Sequence, residues 1–138
     1  MKKALIDTDI LSYFLKGDSK VVQNFGFYLD KFQQLNFSII TYYEIYSGLK
    51  YKDSKKLINS FLDFSNYNKI IPLSKKSVEI SADIYSELRK TGKPIDDIDL
   101  LIAGIAISND MKLITHNTRH FKRIKNLTVI DWFEKVEF

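Results

Sequence analysis

The stretch Lys2-Lys3-Ala4-Leu5-Ile6-Asp7-Thr8-Asp9 decides how the rest of the chain is read. Ala4, Leu5 and Ile6 form an apolar run too short for a helix and bounded by charge, the pattern of a strand buried on both faces. Such strands belong to parallel sheets, whose ligand crevice lies at the carboxyl ends of the strands. Asp7 falls at that end, with Asp9 just beyond it. Two readings follow. In one, Asp7 holds a divalent cation and other acids converge on it. In the other, Asp9 caps a helix from Ile10 and Asp7 is a solvated loop residue.

Beyond this stretch, helical and strand periods alternate. Ile10 to Leu15 reads as a short helix closed by Gly17, and Ser19 to Gln34 as a longer one with Val21, Phe25, Tyr28 and Phe32 on one face. Residues 36–40 read as a second strand, followed by Thr41 as the cap of a helix from Tyr42 to Leu49. A helix over 54–66 and a strand over 69–71 come next, the latter stopped by Pro72. Ser74 or Ser77 opens a helix to about Lys90, and Thr91-Gly92-Lys93-Pro94 breaks it. The helix over 97–109 is apolar on nearly every side and should be buried, and strands follow at 112–115 and 127–130. This order predicts an α/β fold with a mainly parallel sheet covered on both faces. The strand ends at Asp7, Thr41 and Thr115 then lie near one another.

A length of 138 residues suits one domain spanning 1–138, and 45% apolar with 28% charged residues is the balance of a soluble globular protein. No segment reads as a membrane span or a signal peptide, so the expected location is the cytoplasm, with no membrane partner. Cysteine is absent, and His116 and His120 have no third nitrogen or sulfur ligand to complete a closed zinc site. The net charge of +4 bears on a polyanionic partner only where basic residues border the acids.

Glu44 has two readings. Thr41-Tyr42-Tyr43-Glu44 fits a capping box, in which the glutamate reaches back to the cap; alternatively it faces the crevice. Asp99 opens the run Leu100-Leu101-Ile102-Ala103-Gly104-Ile105-Ala106, with Ala103 and Ala106 on its own face to allow close approach of a neighbour. Asp96, Asp97 and Asp99 together exceed what a helix dipole needs, so Asp99 is read as functional and the other two as capping and solvated charge. Acids from three separate segments suit a hard cation such as Mg²⁺ or Mn²⁺, which takes oxygen ligands and can activate water for phosphodiester hydrolysis.

These residues resemble those of PIN-domain ribonucleases, specifically the VapC-type toxins of toxin–antitoxin pairs. The resemblance runs through Leu5-Ile6-Asp7-Thr8-Asp9-Ile10-Leu11, Thr41-x-x-Glu44 with Tyr46-x-Gly48, Gly92-Lys93-Pro94-Ile95 leading to Asp99-Leu100-Leu101-Ile102-Ala103, and Leu113-Ile114-Thr115-His116-Asn117-Thr118-Arg119-His120-Phe121. It implies a three-layer α/β/α sandwich around a short, mainly parallel five-stranded sheet. It also implies a Mg²⁺-dependent (or Mn²⁺-dependent) endoribonuclease with Asp7, Glu44 and Asp99 at the metal, a cognate antitoxin docked in a groove, and a homodimer. The departure is at the fourth acidic position. Where such proteins commonly have Asp or Glu before the phenylalanine, this chain has His120, and Asn117 is the polar substitute in the same loop. His120 can alternatively contact phosphate, transfer a proton, or be a surface histidine at a helix start. Thr8 and Thr115 are candidates for hydrogen bonds that orient the carboxylates.

Basic residues precede the Asp99 helix (Arg89, Lys90, Lys93) and surround the last motif (Lys112, Arg119, Lys122, Arg123, Lys125), where they border the crevice and attract phosphate. Arg119 and Lys93 are the candidates for RNA contact. Tyr13, Phe14, Tyr42, Tyr43 and Tyr46 are expected mostly in the core, with any exposed ones available to an antitoxin. Two other functions remain open: a PIN-fold RNA- or antitoxin-binding module with a weakened site, and an aspartyl-nucleophile phosphatase built on Asp7-x-Asp9. The phosphatase reading is the poorer, because Leu11 stands where that chemistry wants Thr or Val.

Overall fold

The computed structural model describes residues 2–137. Strands β1 (Ala4–Ile6), β2 (Asn36–Ser38), β3 (Lys69–Ile71), β4 (Lys112–Ile114) and β5 (Val129–Ile130) form one sheet, ordered β3-β2-β1-β4-β5 and parallel throughout. Between them run helices α1 (Thr8–Leu15), α2 (Ser19–Phe32), α3 (Ile39–Tyr51), α4 (Lys55–Asn66), α5 (Lys75–Lys90), α6 (Asp97–Ser108) and the single turn α7 (Thr118–Phe121). No helix among the described residues is long and apolar enough to cross a membrane.

The expected α/β/α layering follows from the pleat of β1. Leu5 points into one core with Leu113, Leu100, Ile105 and Phe121, under α5 and α6. Ala4 and Ile6 point into the other with Val21, Phe25, Phe37, Phe61 and Trp132, under α1, α2 and α4. All three β1 side chains are fully buried, as a central parallel strand requires. Strand order reverses at β1, since the chain first builds outward through β2 and β3 and then returns to add β4 and β5. The carboxyl ends of β1 and β4 therefore flank the switch point, where a parallel sheet opens a crevice. Ile6 lies opposite Ile114, and Asp7 donates its N–H to the Ile114 carbonyl at 2.8 Å.

Several boundaries differ from the sequence expectation. β2 stops at Ser38, whose Oγ accepts from Thr41 N at 3.0 Å, so α3 starts at Ile39 and Thr41 lies inside its first turn. Serine caps as well as threonine, and the earlier residue prevails here. α1 starts at Thr8 with Asp7 as its cap, so Asp9 is not a cap. β5 is confined to Val129–Ile130. Lys112 is buried at the amino end of β4 and pairs with Glu137 at 2.7 Å, far along the strand from the crevice it was expected to border. Lys125 pairs with Glu87, and Arg123 donates to the Pro94 carbonyl.

Residues 131–137 pack back across α2 and β4. Trp132 is fully buried, its indole N–H and the Lys112 ammonium both reach the Glu137 carboxylate, and Asn24 of α2 donates to the carbonyls of Trp132 and Lys135.

The close approach of α6 to a neighbour occurs at Gly104, while Ala103 and Ala106 are fully buried on the same helix. A Cβ on Gly104 would overlap Ser81 Oγ and the Ser77 carbonyl of α5. Ser81 Oγ donates to the Leu100 carbonyl at 2.7 Å, tying the first turn of α6 to α5. Gly104→Ala should therefore lower stability by about 1–3 kcal/mol through overpacking, despite alanine's better helix propensity, as read by urea unfolding.

Candidate metal and phosphodiester site

Asp7 sits at the end of β1 and is only 6% exposed. Its Oδ1 accepts from Thr8 N and its Oδ2 from Thr115 Oγ1, both at 2.8 Å. Thr115 has one hydroxyl proton, and Asp9 Oδ2 lies farther from it at 3.5 Å, so the proton goes to Asp7. Asp9 Oδ2 is instead held by His116 N at 3.0 Å, and its Oδ1 by Ile10 N. These bonds fix both carboxylates but do not neutralise them. Burial, then the adjacent Asp9 and the more remote Asp99, push Asp7 from 3.8 up to about 7. Burial also raises Asp9, against its two backbone hydrogen bonds.

On the other side of the crevice, Thr8 Oγ1 donates to Glu44 Oε1 at 2.6 Å and, its proton so used, accepts from Thr41 Oγ1 at 2.9 Å. This overturns the capping-box reading of Glu44, because Thr41 is not a cap and its hydroxyl faces Thr8. Asp99 comes from the first turn of α6 and is half-buried. Asn117 Nδ2 donates to its Oδ2 at 3.4 Å, and His120 Nδ1 stands 3.6 Å from the same atom. Burial raises Asp99, with Asp96 and Glu44 adding repulsion and His120 opposing them. Asn117 N donates to Thr115 Oγ1 at 3.0 Å, so the hydroxyl that holds Asp7 is itself oriented by the loop carrying Asn117.

Asp7, Glu44, Asp99, Thr8, Thr115, Asn117 and His120 are thus gathered at one sheet edge. Electrostatic coupling links Asp7 to Asp99 and Asp99 to Glu44. Among the described residues no lysine or arginine pairs with these acids or with Asp9. Arg119 and Lys93 are exposed, and among the described residues no ion pair joins either to these acids. The oxygen donor set and the uncompensated buried charge fit a hard divalent cation that keeps several waters. Asp7, Glu44 and Asp99 do not bring ligand atoms within 4.8 Å of one another; among the described residues the group that does is His116, Asp131 and Glu134, beside this site.

Two neighbours were not among the sequence candidates. His116 Nδ1 meets Asp131 Oδ2 at 2.7 Å, and this hydrogen bond raises the imidazole's pKa. The His116 ring packs edge-on against Tyr13 and Phe133, fixing the backbone N–H that reaches Asp9. The available signal was positional: Asp131 directly follows β5 as Asp7 follows β1 and Thr115 follows β4.

The PIN domain family profile matches residues 4–127. The chain belongs to the PIN-domain family, in its VapC branch. Ribonuclease VapC2 of Rickettsia felis is 32% identical over 129 residues, covering 93% of this chain and 96% of that protein. Ribonuclease VapC1 of Methanocaldococcus jannaschii is 33% identical over 129 residues, covering 89% and 82%. Among solved structures, VapBC2 from Rickettsia felis bound to a DNA fragment from their promoter superposes with a TM-score of 0.83 at 31% identity, over 94% of this chain and 98% of that one. The PIN-domain architecture expected from the sequence is the one observed.

The raised pKa of Asp7 sets a pH dependence of the metal-free fold. Between 3.8 and about 7 the unfolded chain releases a proton that the folded chain retains. Stability is thus lost as pH rises through this window. Asp7→Asn, which carries no such charge, should raise the melting temperature in EDTA at pH 8 by about 3–6 °C, with the gain shrinking toward zero at pH 4. Thermal melts at both pH values check this.

Proposed function

We propose that this PIN domain is a Mg²⁺- or Mn²⁺-dependent endoribonuclease toxin that hydrolyses RNA phosphodiester bonds and is held in check by a cognate antitoxin. The observation that supports it most is the buried Asp7 carboxylate, faced by Asp9 and Asp99 without a basic partner among the described residues. Like charges so placed repel unless a cation joins them. In this reading Asp7, Asp99 and Glu44 hold the ion, Thr8 and Thr115 orient the carboxylates, and Asn117 positions groups beside Asp99. When bound, the cation neutralises charge on the scissile phosphate and makes nearby water more acidic. Asp9, fixed by His116 N, keeps a second carboxylate beside Asp7. Arg119 and Lys93, exposed on the segments that carry Asn117 and lead to Asp99, draw in the RNA backbone.

Purified protein should cleave RNA in Mg²⁺ or Mn²⁺ and stop in EDTA. Asp7→Asn and Asp99→Asn should each slow cleavage by about a hundredfold or more. Cleavage unchanged in both variants would remove these residues from the mechanism.

The partner is carried over from the VapBC complexes of the relatives. A groove of about 360 Å³ runs between α1, α3 and α4, lined by Leu15, Ile45, Leu49, Leu57 and Phe61 and ending at Thr8 and Glu44. Its apolar lining and its opening beside Glu44 suit an amphipathic antitoxin segment that also covers the acids. Leu57, 49% exposed at the rim, is the residue to test. Leu57→Glu should weaken capture of the cognate antitoxin by at least about tenfold, or about 1.4 kcal/mol, in a titration of the two purified proteins.

A further inference from the structure

A second constellation lies beside the crevice and shares none of its acids. His116 comes from the loop after β4, Asp131 directly follows β5, and Glu134 belongs to the turn beyond it. One imidazole nitrogen and one oxygen from each carboxylate all lie within 4.8 Å of one another. Two of the three side chains are already fixed. The His116 ring packs edge-on against Tyr13 and Phe133, which are themselves stacked at 4.2 Å, and its backbone N–H is held by Asp9. Asp131, 11% exposed at its side chain, accepts from the N–H groups of Phe133 and Glu134 through Oδ1, which leaves Oδ2 for His116. Glu134 is held by its backbone carbonyl, which accepts from Lys20 Nζ at 3.2 Å. Its exposed carboxylate forms no ion pair or hydrogen bond among the described residues.

We propose that His116, Asp131 and Glu134 form a second cation site, one that takes Zn²⁺ or a similar late divalent metal rather than Mg²⁺. The inference is independent of the nuclease reading. An imidazole nitrogen with two carboxylates is a three-ligand set that zinc accepts, a water completing the tetrahedron. Mg²⁺ gains little from the nitrogen. In the metal-free protein His116 Nδ1 and Asp131 Oδ2 share one proton at 2.7 Å. The metal takes that proton's place, the proton leaves to solvent, and both lone pairs turn to the ion. Nδ1 and Oδ2 then part to roughly 3.3 Å, the spacing of neighbouring donors on zinc with bonds of about 2.0 Å. Glu134 supplies the movable ligand. Bound there, the ion ties the loop after β4 to the segment after β5, and it meets the crevice through the His116 N–H on Asp9.

The tag-free chain carrying Asp7→Asn and Asp99→Asn, which disable cation binding in the crevice, should still take up one Zn²⁺ in a calorimetric titration. On that background His116→Ala should weaken uptake by about a hundredfold or more, and Glu134→Gln by about tenfold. The chain has two histidines, so nitrogen-correlated NMR of the imidazole rings separates them. Zn²⁺ should shift the ring signals of His116 and leave those of His120 in place. Glu134 is exposed, so Glu134→Gln probes the site without threatening the fold, and thermal melts establish that the His116→Ala protein is folded. Uptake abolished by Asp7→Asn with Asp99→Asn, uptake unchanged in either His116→Ala or Glu134→Gln, or a shift of His120 in place of His116 would overturn the site. So would absence of uptake. The nuclease reading is decided separately, by cleavage in Mg²⁺.

Discussion

The parallel pairing of β1 with β4 places the Asp7 carboxylate against the Thr115 hydroxyl at the switch point of the sheet, and the rest of the site is arranged around that contact. The hydroxyl and the Thr8 N–H orient the carboxylate without cancelling its charge, so burial and Asp9 still dominate its titration. A charge held in this way is costly to the fold, and a cation beside it would offset that cost. The surrounding bonds follow the same plan. Thr41 orients Thr8, Thr8 holds Glu44, Asn117 N orients Thr115, and the Asn117 amide reaches Asp99. Each acid is held in place by its neighbours, which would favour precise coordination of an ion.

Much of this was legible in the chain because local signals and the global fold agree. The apolar triplet ending at Asp7 defined the central strand, and the alternation of periods defined the layers. Asp99 stood out as a charge opening a helix with no polar face. The misreadings have a common physical origin: a side chain's partner lies across the sheet, where spacing along the chain carries no information. Thr41-x-x-Glu44 satisfies a capping pattern, yet Ser38 holds the cap, and both residues turn toward Thr8 instead. Asp9 resembled a cap because its true partner, His116 N, is supplied by the loop after β4. Lys112 resembled a phosphate-attracting residue of the last motif, but it stands at the amino end of β4, away from the crevice, and is buried against Glu137. Gly104, within a run chosen for its alanines, sets the contact between α5 and α6 because the Ser81 hydroxyl fills the space a methyl would need.

The last described residues form a splint that runs from the carboxyl end of β5 back to the amino end of β4. Glu137 grips the Lys112 ammonium and the Trp132 indole, and Asn24 anchors the intervening backbone. From that splint Asp131 extends to His116, and His116 to Asp9. Whatever loosens residues 131–137 from α2 is therefore felt two hydrogen bonds later at an acid of the crevice.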